Sequence, residues 1–334
     1  MQAKNDKKTI RSWAFFDWAN STYNLVITST IFPAYYTAIT GDKDDNTIDY
    51  VYFFGYKIIN SALYSYAMAF AFLVIAILSP ILSSIADTRG NKKIFMKMFT
   101  YIGAIACSAL FFFEINADKG VNTLNFSVIM FVIAAIGFWG SLVFYNSYLP
   151  DIAYPEQQDK VSARGFSMGY IGSTLLLIFN LAMVMFPHTF GIGGSDEEAS
   201  MMAMRISFLT VGVWWIGFSH ITYYYLPKGT RNNVKLSKDF IFKGFRELKL
   251  VWHQLQENLA LKRYLYSYFV FIMAVQTVML VATYFGATEI AWESPGQKTM
   301  GLIISILVIQ LVAVLGAFLT SRASAVYGNL NVLI

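Results

Sequence analysis

The sequence has little charge and a single cysteine. Only 13% of its 334 residues are Asp, Glu, Lys or Arg, and 56% are hydrophobic, whereas charged residues make up about 25% of a soluble domain. The lone Cys107 has no partner for a disulfide bond, which excludes a small secreted domain held together by disulfides. The chain therefore does not have the composition of a water-soluble domain.

Residues that bind metals or nucleotides are also scarce. The three histidines, His188, His220 and His253, lie far apart, and no His-Glu-x-x-His pair is present. The Gly-x-x-x-x-Gly-Lys-Ser/Thr loop that holds ATP phosphates is absent as well. The sequence therefore predicts no metal and no cofactor, and a membrane-embedded enzyme becomes the weakest of the alternatives.

Long apolar segments are what the chain has in abundance. Stretches of about 20 residues carry almost no charge, and a helix of that length crosses the hydrocarbon of a lipid bilayer. Backbone polar groups in lipid must be bonded internally, so these segments predict helices and an all-α membrane protein. Eight spans are predicted, near residues 15–39, 61–86, 94–115, 126–149, 166–187, 206–226, 264–287 and 299–320.

Basic residues sort onto alternate loops between these spans. Of the 25 Lys and Arg residues, 20 fall on the N-terminal tail and every second loop after it, and five fall on the opposite loops. Basic residues are retained on the cytoplasmic side, so the N-terminus is predicted to be cytoplasmic. The net charge of +5 thus reports topology and not a nucleic-acid partner.

The longest basic loop, residues 227–263, carries an apolar stripe at helical spacing. It predicts an amphipathic helix that lies on the inner membrane face and joins two halves of the protein. Binding of a partner of the calmodulin type is the alternative. The stripe consists of Ile241, Phe245, Leu248, Trp252, Leu255 and Leu259.

Two pairs of segments suggest an internal repeat. The run from Ser83 to Lys93 resembles the run from Ser321 to Asn331, and Asp17-Trp18-Ala19-Asn20-Ser21 resembles Met273-Ala274-Val275-Gln276-Thr277 more weakly. Each match pairs one span with the span six later. We therefore expect a complete six-span half in residues 1–226, the linker 227–263, and the start of a second half in 264–334, which makes the sequence a fragment lacking about four spans.

Four segments carry a resemblance to a known family. The loop Asp87-Thr88-Arg89-Gly90-Asn91-Lys92-Lys93 resembles that of the major facilitator superfamily. The segments Ser12–Ser21, Phe144–Pro150 and Val161–Gly172 resemble its branch of autophagy-related vacuolar effluxers and their bacterial relatives. The resemblance implies a helical bundle that moves a small solute by alternating access, coupled to protons or another ion, with amino-acid efflux suggested for the vacuolar members.

The sequence departs from the superfamily pattern at two places. Ser83 stands where the loop usually has glycine, and the second copy of the loop lacks the acidic residue and the basic pair. A receptor or scaffold that kept the transporter fold without transport therefore stays an alternative to a transporter.

Polar residues on the first span are candidates for solute or proton coupling. Asp17, Asn20 or Ser21, Asn24 and Thr28 recur at steps of three and four, which places them on one helix face. Ionisable residues within apolar spans are often functional. For Asp17 the alternatives are that it caps the helix or pairs with Arg11.

Other candidates lie deeper in the spans or at their inner ends. Each deep polar residue could bind a solute or a neighbouring helix; they are Asn146, Asn180, Gln276, Thr277 and Gln310. Four charged residues are predicted to form a cytoplasmic gate, or only to set topology; they are Asp87, Arg89, Asp151 and Arg164. Gly165, Gly169 and Gly172 are expected to let two helices approach closely.

Overall fold

The chain is described by a computed structural model for residues 4–41, 48–89, 92–116, 120–227, 240–288, 290, 295–328 and 332. Its helices follow one another as α1 Lys7–Thr22, a π-helix Tyr23–Ile31, α2 Phe32–Thr40, α3 Asn60–Arg89, α4 Lys92–Ala109, α5 Leu124–Ser147, α6 Leu149–Ile152, α7 Pro155–Met185, α8 Asp196–Tyr225, α9 Phe240–Glu257, α10 Leu259–Thr288 and α11 Pro295–Tyr327. Short 3-10 turns cover Leu110–Phe112 and Pro187–Phe190.

These helices coincide with the predicted spans and confirm an all-α membrane bundle. The first predicted span is the continuous helical run from α1 to α2, and the seventh is α10. Six helical segments among the described residues are long and apolar enough to cross a membrane: Asn60–Ser83, Lys92–Phe112, Leu124–Ile152, Pro155–Met185, Asp196–Tyr225 and Ile304–Ser324.

Two short antiparallel hairpins in the connecting loops were not predicted. Strand β1 (Tyr50–Phe53) pairs with β2 (Tyr56–Ile59), and β3 (Ile115–Asn116) pairs with β4 (Val121–Asn122). Strands of two to four residues are too short to leave an alternating pattern that stands out in the sequence. They leave the fold class unchanged.

The first half of the chain packs around α1, α4, α5, α7 and α8. Its core is aromatic; Phe32 stacks on Phe131 with ring centroids 4.1 Å apart, and Trp215 is fully buried. Helices α4 and α5 touch backbone to backbone, since a Cβ built on Gly137 would clash with the Cα of Gly103. Only glycine permits this approach.

The first span changes from an α-helix to a π-helix after Thr22, part-way along its predicted polar face. Nine residues, Tyr23–Ile31, form a π-helix, a rare geometry that is frequent at functional sites. The hydroxyls of Ser29 and Thr30 donate to the carbonyls of Asn24 and Leu25, and Tyr64 on α3 donates to the carbonyl of Thr28 at 3.2 Å. These bonds satisfy carbonyls along the π-helical turn.

One end of the bundle, here called the basic end, carries the chain's first residues, the start of α4 and the end of α8. Lys93 is buried there, and its ammonium donates to the carbonyl of Leu226 at 2.7 Å. Thr222 donates to the carbonyl of Ser12 at 2.8 Å. Cations are favoured at a helix C-terminus, so Lys93 ties α4 to the end of α8.

The opposite end is held by different polar contacts. Arg205 on α8 donates to the carbonyl of Phe111 at 2.7 Å and to the carboxylate of Glu114 at 3.1 Å. Ser195 and Glu198 form a capping box at the start of α8, where acidic residues suit the positive end of the helix dipole. These bonds fix α8 against the end of α4.

The second part of the chain attaches at two places. Helix α11 packs along α7, and α9 contacts α3. The helix predicted in the basic loop is confirmed as α9, Phe240–Glu257. Its position on the membrane face stays a prediction.

Candidate functional site

The carboxyl group of Asp17 lies buried in the third turn of α1, between α5 and α7. Among the residues that the structure describes, its one hydrogen bond comes from the hydroxyl of Tyr145, which donates to Oδ2 at 2.7 Å. Trp13 holds that tyrosine, because its ring stacks on Tyr145 at 4.2 Å and its indole N–H donates to the Tyr145 carbonyl at 2.9 Å. The sequence alone placed Asp17 on this span, and the structure adds its tyrosine partner.

Glycines of α7 form the wall opposite Asp17. A Cβ built on Gly165 would lie 2.6 Å from Oδ2 of Asp17 and 2.8 Å from the hydroxyl of Tyr145, and one built on Gly169 would lie 2.5 Å from the hydroxyl of Ser21. Any larger residue would push α7 away from α1. The predicted close approach of these helices is present.

Asp17 has no counter-ion among the residues that the structure describes. Arg11 is exposed, and the ion pairs of the described chain do not include Asp17. The cap of α1 is Asp6, whose carboxylate accepts from the backbone N–H of Thr9 at 2.9 Å. Both alternative interpretations of Asp17, a helix cap or a partner of Arg11, are therefore wrong. The bonds from Thr9 also lower the pKa of Asp6.

Two buried asparagines present amide groups to the same bundle interior. The Asn20 oxygen accepts from Ser141 at 3.2 Å, and the Asn180 oxygen accepts from Thr210 at 2.8 Å. Both side chains are fully buried, and within the described part of the chain their NH₂ groups have no hydrogen-bond partner. An unsatisfied buried donor costs about 1–3 kcal/mol, so these groups are available to a water molecule or a solute.

The other polar residues predicted from the sequence lie in varied surroundings. Asn24 is half-buried within the π-helix, whereas Asn146 is exposed in the last turn of α5. Gln276 and Thr277 on α10 are exposed, and the Thr277 hydroxyl donates to the carbonyl of Met273. The side-chain oxygen of Gln310 on α11 is buried and, among the described residues, unpartnered, as is the Thr28 hydroxyl.

Of the four residues predicted to form a gate, Asp151 has an ion-pair partner that the sequence did not single out. Asp151 forms an ion pair with Lys92 at 2.9 Å, and Lys92 also donates to the carbonyl of Ser147. Arg164, which the sequence grouped with Asp151, is exposed on α7. Asp87 and Arg89 end α3, and their side chains lie outside the described residues. The ion-pair partner of Asp151 that sequence reasoning missed is therefore Lys92.

Two further features bear on what could bind here. A groove of about 670 Å³ lies between α7 and α8, and it is lined by apolar side chains such as Leu175, Phe179 and Trp214, which suits a hydrocarbon better than a polar solute. Among the described residues, no group of three or more His, Cys, Asp or Glu side chains could hold a metal ion.

Comparison with known proteins identifies the family. The model of the family "Vacuole effluxer Atg22 like" matches residues 5–333. The chain belongs to this family. It is therefore a major facilitator protein of the Atg22 branch, as the motifs between the first and fifth spans indicated.

Individual relatives of this Atg22-like chain agree with that placement. It is 29% identical over 334 residues to the uncharacterized MFS-type transporter YxiO of Bacillus subtilis, covering 98% of this chain and 68% of YxiO. It is 24% identical to autophagy-related protein 22-1 of Phaeosphaeria nodorum, covering 70% of this chain and 49% of that protein. The chain thus spans from about half to about two thirds of these relatives.

A solved structure supports the fold. The major facilitator proton:xylose symporter XylE, bound to 6-bromo-6-deoxy-D-glucose, superposes with a TM-score of 0.55 at 14% identity, covering 95% of this chain and 68% of XylE. Identity this low supports the fold alone.

Several contacts of the Atg22-like site could not be read from sequence. Tyr145 lies in one of the segments that carry the family resemblance, and nothing else in the sequence distinguished it from the rest of the 21 tyrosines. Ser141 and Thr210, the partners of the two asparagines, had no signal because serine and threonine are common in spans, where they bond their own helix backbone.

Proposed function

We propose that this Atg22-like protein is a secondary active transporter that moves a small solute by alternating access. The basic end then faces the cytoplasm of a bacterial cell and carries the N-terminus, in agreement with the distribution of Lys and Arg along the loops. The family name, which speaks of an effluxer, supports this assignment, and so does the fold shared with XylE.

The observation that carries the proposal is the isolated carboxyl of Asp17. It lies among apolar helices with one neutral partner, Tyr145, and a charge without a counter-ion is costly to hold there. Such a group is stabilised by binding a proton, or by a cation when one arrives. Asp17 is therefore placed to couple solute movement to a proton or another ion.

The free amide groups of Asn20 and Asn180 extend the proposed site. An NH₂ group donates hydrogen bonds, so it suits the carboxylate or carbonyl oxygens of a solute. Together with the acidic Asp17, which suits an ammonium group, these donors favour a zwitterionic solute such as an amino acid or a related metabolite. Ser21, Asn24 and Gln310 line the same path in this proposal.

The substitution Asp17→Asn tests the coupling role. In proteoliposomes, with a broad screen of amino acids, peptides and sugars, we expect Asp17→Asn to abolish uptake driven by a pH gradient while leaving solute exchange intact. Exchange needs no net proton movement, so it should survive. Asp159→Asn, which removes an exposed acid from α7, is the matched control and should behave as wild type.

Two outcomes would contradict the proposal in different ways. Gradient-driven uptake by Asp17→Asn at the wild-type rate would remove Asp17 from the coupling mechanism. No flux of any solute through the wild-type protein, with flux through YxiO measured in parallel, would favour the receptor or scaffold, which the degenerate second copy of the loop also suggests.

A further inference from the structure

A cluster of polar side chains lies between α4 and α8, away from Asp17, and reaches the outer surface of the bundle at His220, which is exposed, whereas Tyr223 is buried. Tyr101 and Lys97 come from α4, and His220 and Tyr223 come from α8. The ring centroids of Tyr101, His220 and Tyr223 form a triangle with sides of 5.8, 6.2 and 6.3 Å. The ammonium of Lys97 lies 5.2 Å from the centre of the Tyr223 ring. The four side chains are named here the α4–α8 cluster.

Hydrogen bonds fix the orientation of the imidazole in this cluster. His220 Nδ1 lies 2.7 Å from the carbonyl of Ile216, and Nε2 lies 3.1 Å from the hydroxyl of Tyr101. A carbonyl only accepts, so Nδ1 carries the ring hydrogen and Nε2 accepts from the hydroxyl of Tyr101. The imidazole is thus held between α8 and Tyr101 of α4.

The cluster lies at the depth of lipid headgroups. Lys97 is five residues from the start of α4, and His220 is five residues from the end of α8, which is about 7 to 8 Å at 1.5 Å per residue. Headgroup regions occupy about that depth on each side of the hydrocarbon core.

The surface beside the cluster is apolar and exposed. On α4 it continues through Ile102 and Ile105, and on α8 through Val213, each more than 40% exposed. Helix α11 packs mainly on α7, and α9 packs on α3, rather than on α4 or α8. A cationic and hydroxylic patch next to an open apolar strip matches a molecule with an anionic head and a hydrocarbon tail.

We infer that the α4–α8 cluster binds an anionic phospholipid, with the phosphate against Lys97 and one acyl chain along Ile102 and Val213. Basic crevices between spans at the membrane surface are known to bind acidic headgroups. His220 is a positioning residue that holds the ring of Tyr101, one helical turn from Lys97. This site is independent of the proposed transport function, because none of its residues contacts Asp17, Asn20 or Asn180 in the described structure.

Native mass spectrometry of the full chain in a neutral detergent tests the inference. We expect phosphatidylglycerol adducts to exceed phosphatidylcholine adducts, and the first phosphatidylglycerol to bind about fivefold more weakly to Lys97→Gln, since one basic residue near acidic headgroups contributes about that factor. His220→Leu, which leaves Tyr101 without its hydrogen-bond partner, should also weaken binding, whereas Lys97→Arg should bind as wild type. The matched control is Lys57→Gln, because Lys57 lies over the Tyr50 ring in the β1–β2 hairpin at the other end of the bundle.

A second measurement covers the case in which a variant fails to fold. Thermal unfolding of the wild-type protein, followed by tryptophan fluorescence, should shift upward with phosphatidylglycerol and not with phosphatidylcholine or inorganic phosphate. Equal binding of both lipids, wild-type affinity in Lys97→Gln, or an equal shift with inorganic phosphate would each overturn the lipid assignment. Occupation of the surface by a second copy of the chain, seen as a dimer that excludes lipid, would overturn it as well.

Discussion

A side chain at position 165 should destabilise the protein, because Gly165 contacts the hydrogen-bonded pair Asp17–Tyr145. Gly165→Ala places a methyl carbon 2.6 Å from the Asp17 carboxyl and 2.8 Å from the Tyr145 hydroxyl. Ordinary contact begins at 3.4 Å, so these oxygens must retreat by about 0.6 to 0.8 Å. They are joined by a 2.7 Å hydrogen bond, and the methyl group therefore acts on that bond directly.

The expected magnitudes follow from overpacking and from the lost bond. Gly165→Ala should lower the free energy of unfolding by about 1–3 kcal/mol, the usual effect of an added methylene in a packed interior. Tyr145→Phe removes the donor while keeping the ring that stacks on Trp13, and should cost about 1 kcal/mol, as hydrogen bonds between membrane helices do. Because both changes act on one bond, the double variant should be more stable than additivity predicts, by about 0.5–1.5 kcal/mol.

The assay is a double-mutant cycle in mixed micelles, unfolded with a denaturing detergent and followed by tryptophan fluorescence. Gly217→Ala is the control, since no atom lies within 4 Å of a Cβ built at that position, and it should not lower stability. Additivity of Gly165→Ala and Tyr145→Phe to within about 0.3 kcal/mol would refute the reasoning, because it would mean that the methyl group relaxes without touching the bond.

Two further predictions concern the ends of the bundle. Lys92 and Asp151 form a half-exposed pair, which contributes at most about 1 kcal/mol, so Lys92→Asp should leave stability nearly unchanged. If the pair is a gate, Lys92→Asp should increase the labelling, from the basic end, of a cysteine that replaces Asn24 in a Cys107→Ser background. The exchanged pair, Lys92→Asp with Asp151→Lys, should restore wild-type labelling, and equal labelling of all three proteins would exclude a gate. His188 is hydrogen-bonded through Nε2 to Asp196 and through Nδ1 to the carbonyl of Ile192, both at 2.9 Å, and these bonds raise its pKa. The stability that they contribute is present below the ordinary histidine pKa of about 6.5 and is lost as pH rises through the raised pKa. NMR titration should therefore show a higher pKa for His188 in the wild-type protein than in Asp196→Asn, and identical pKa values would contradict the contact.

The fold could be predicted because lipid leaves the backbone few choices. Any apolar run of about 20 residues must be helical there, so the spans followed from hydropathy alone. Asp17 was found for a similar reason, since a carboxylate within an apolar stretch is a strong local signal. Neither inference required knowledge of which helices touch.

Pairings across the chain could not be predicted in the same way. Lys92 and Asp151 are 59 residues apart, and the sequence placed several charges at one end without saying which two meet. The π-helix Tyr23–Ile31 was not predicted either, because a hydropathy pattern does not distinguish its wider turn from that of an α-helix. Whether Asn24 and Thr28 share the face of Asp17 stays a prediction.

Helix α7 joins the Asp17 site to the second half of the protein. Its glycines wall off Asp17, and the same helix packs against α11. Domains of this fold rock against each other in alternating access, so a movement of α11 would act on α7 first and on the Gly165 contact next. If solute binding drives that movement, the coupling energy between Gly165→Ala and Tyr145→Phe should differ between free and solute-bound protein. An identical value in both states would separate the Asp17 contact from the transport cycle, because a contact that does not change between states cannot bias them.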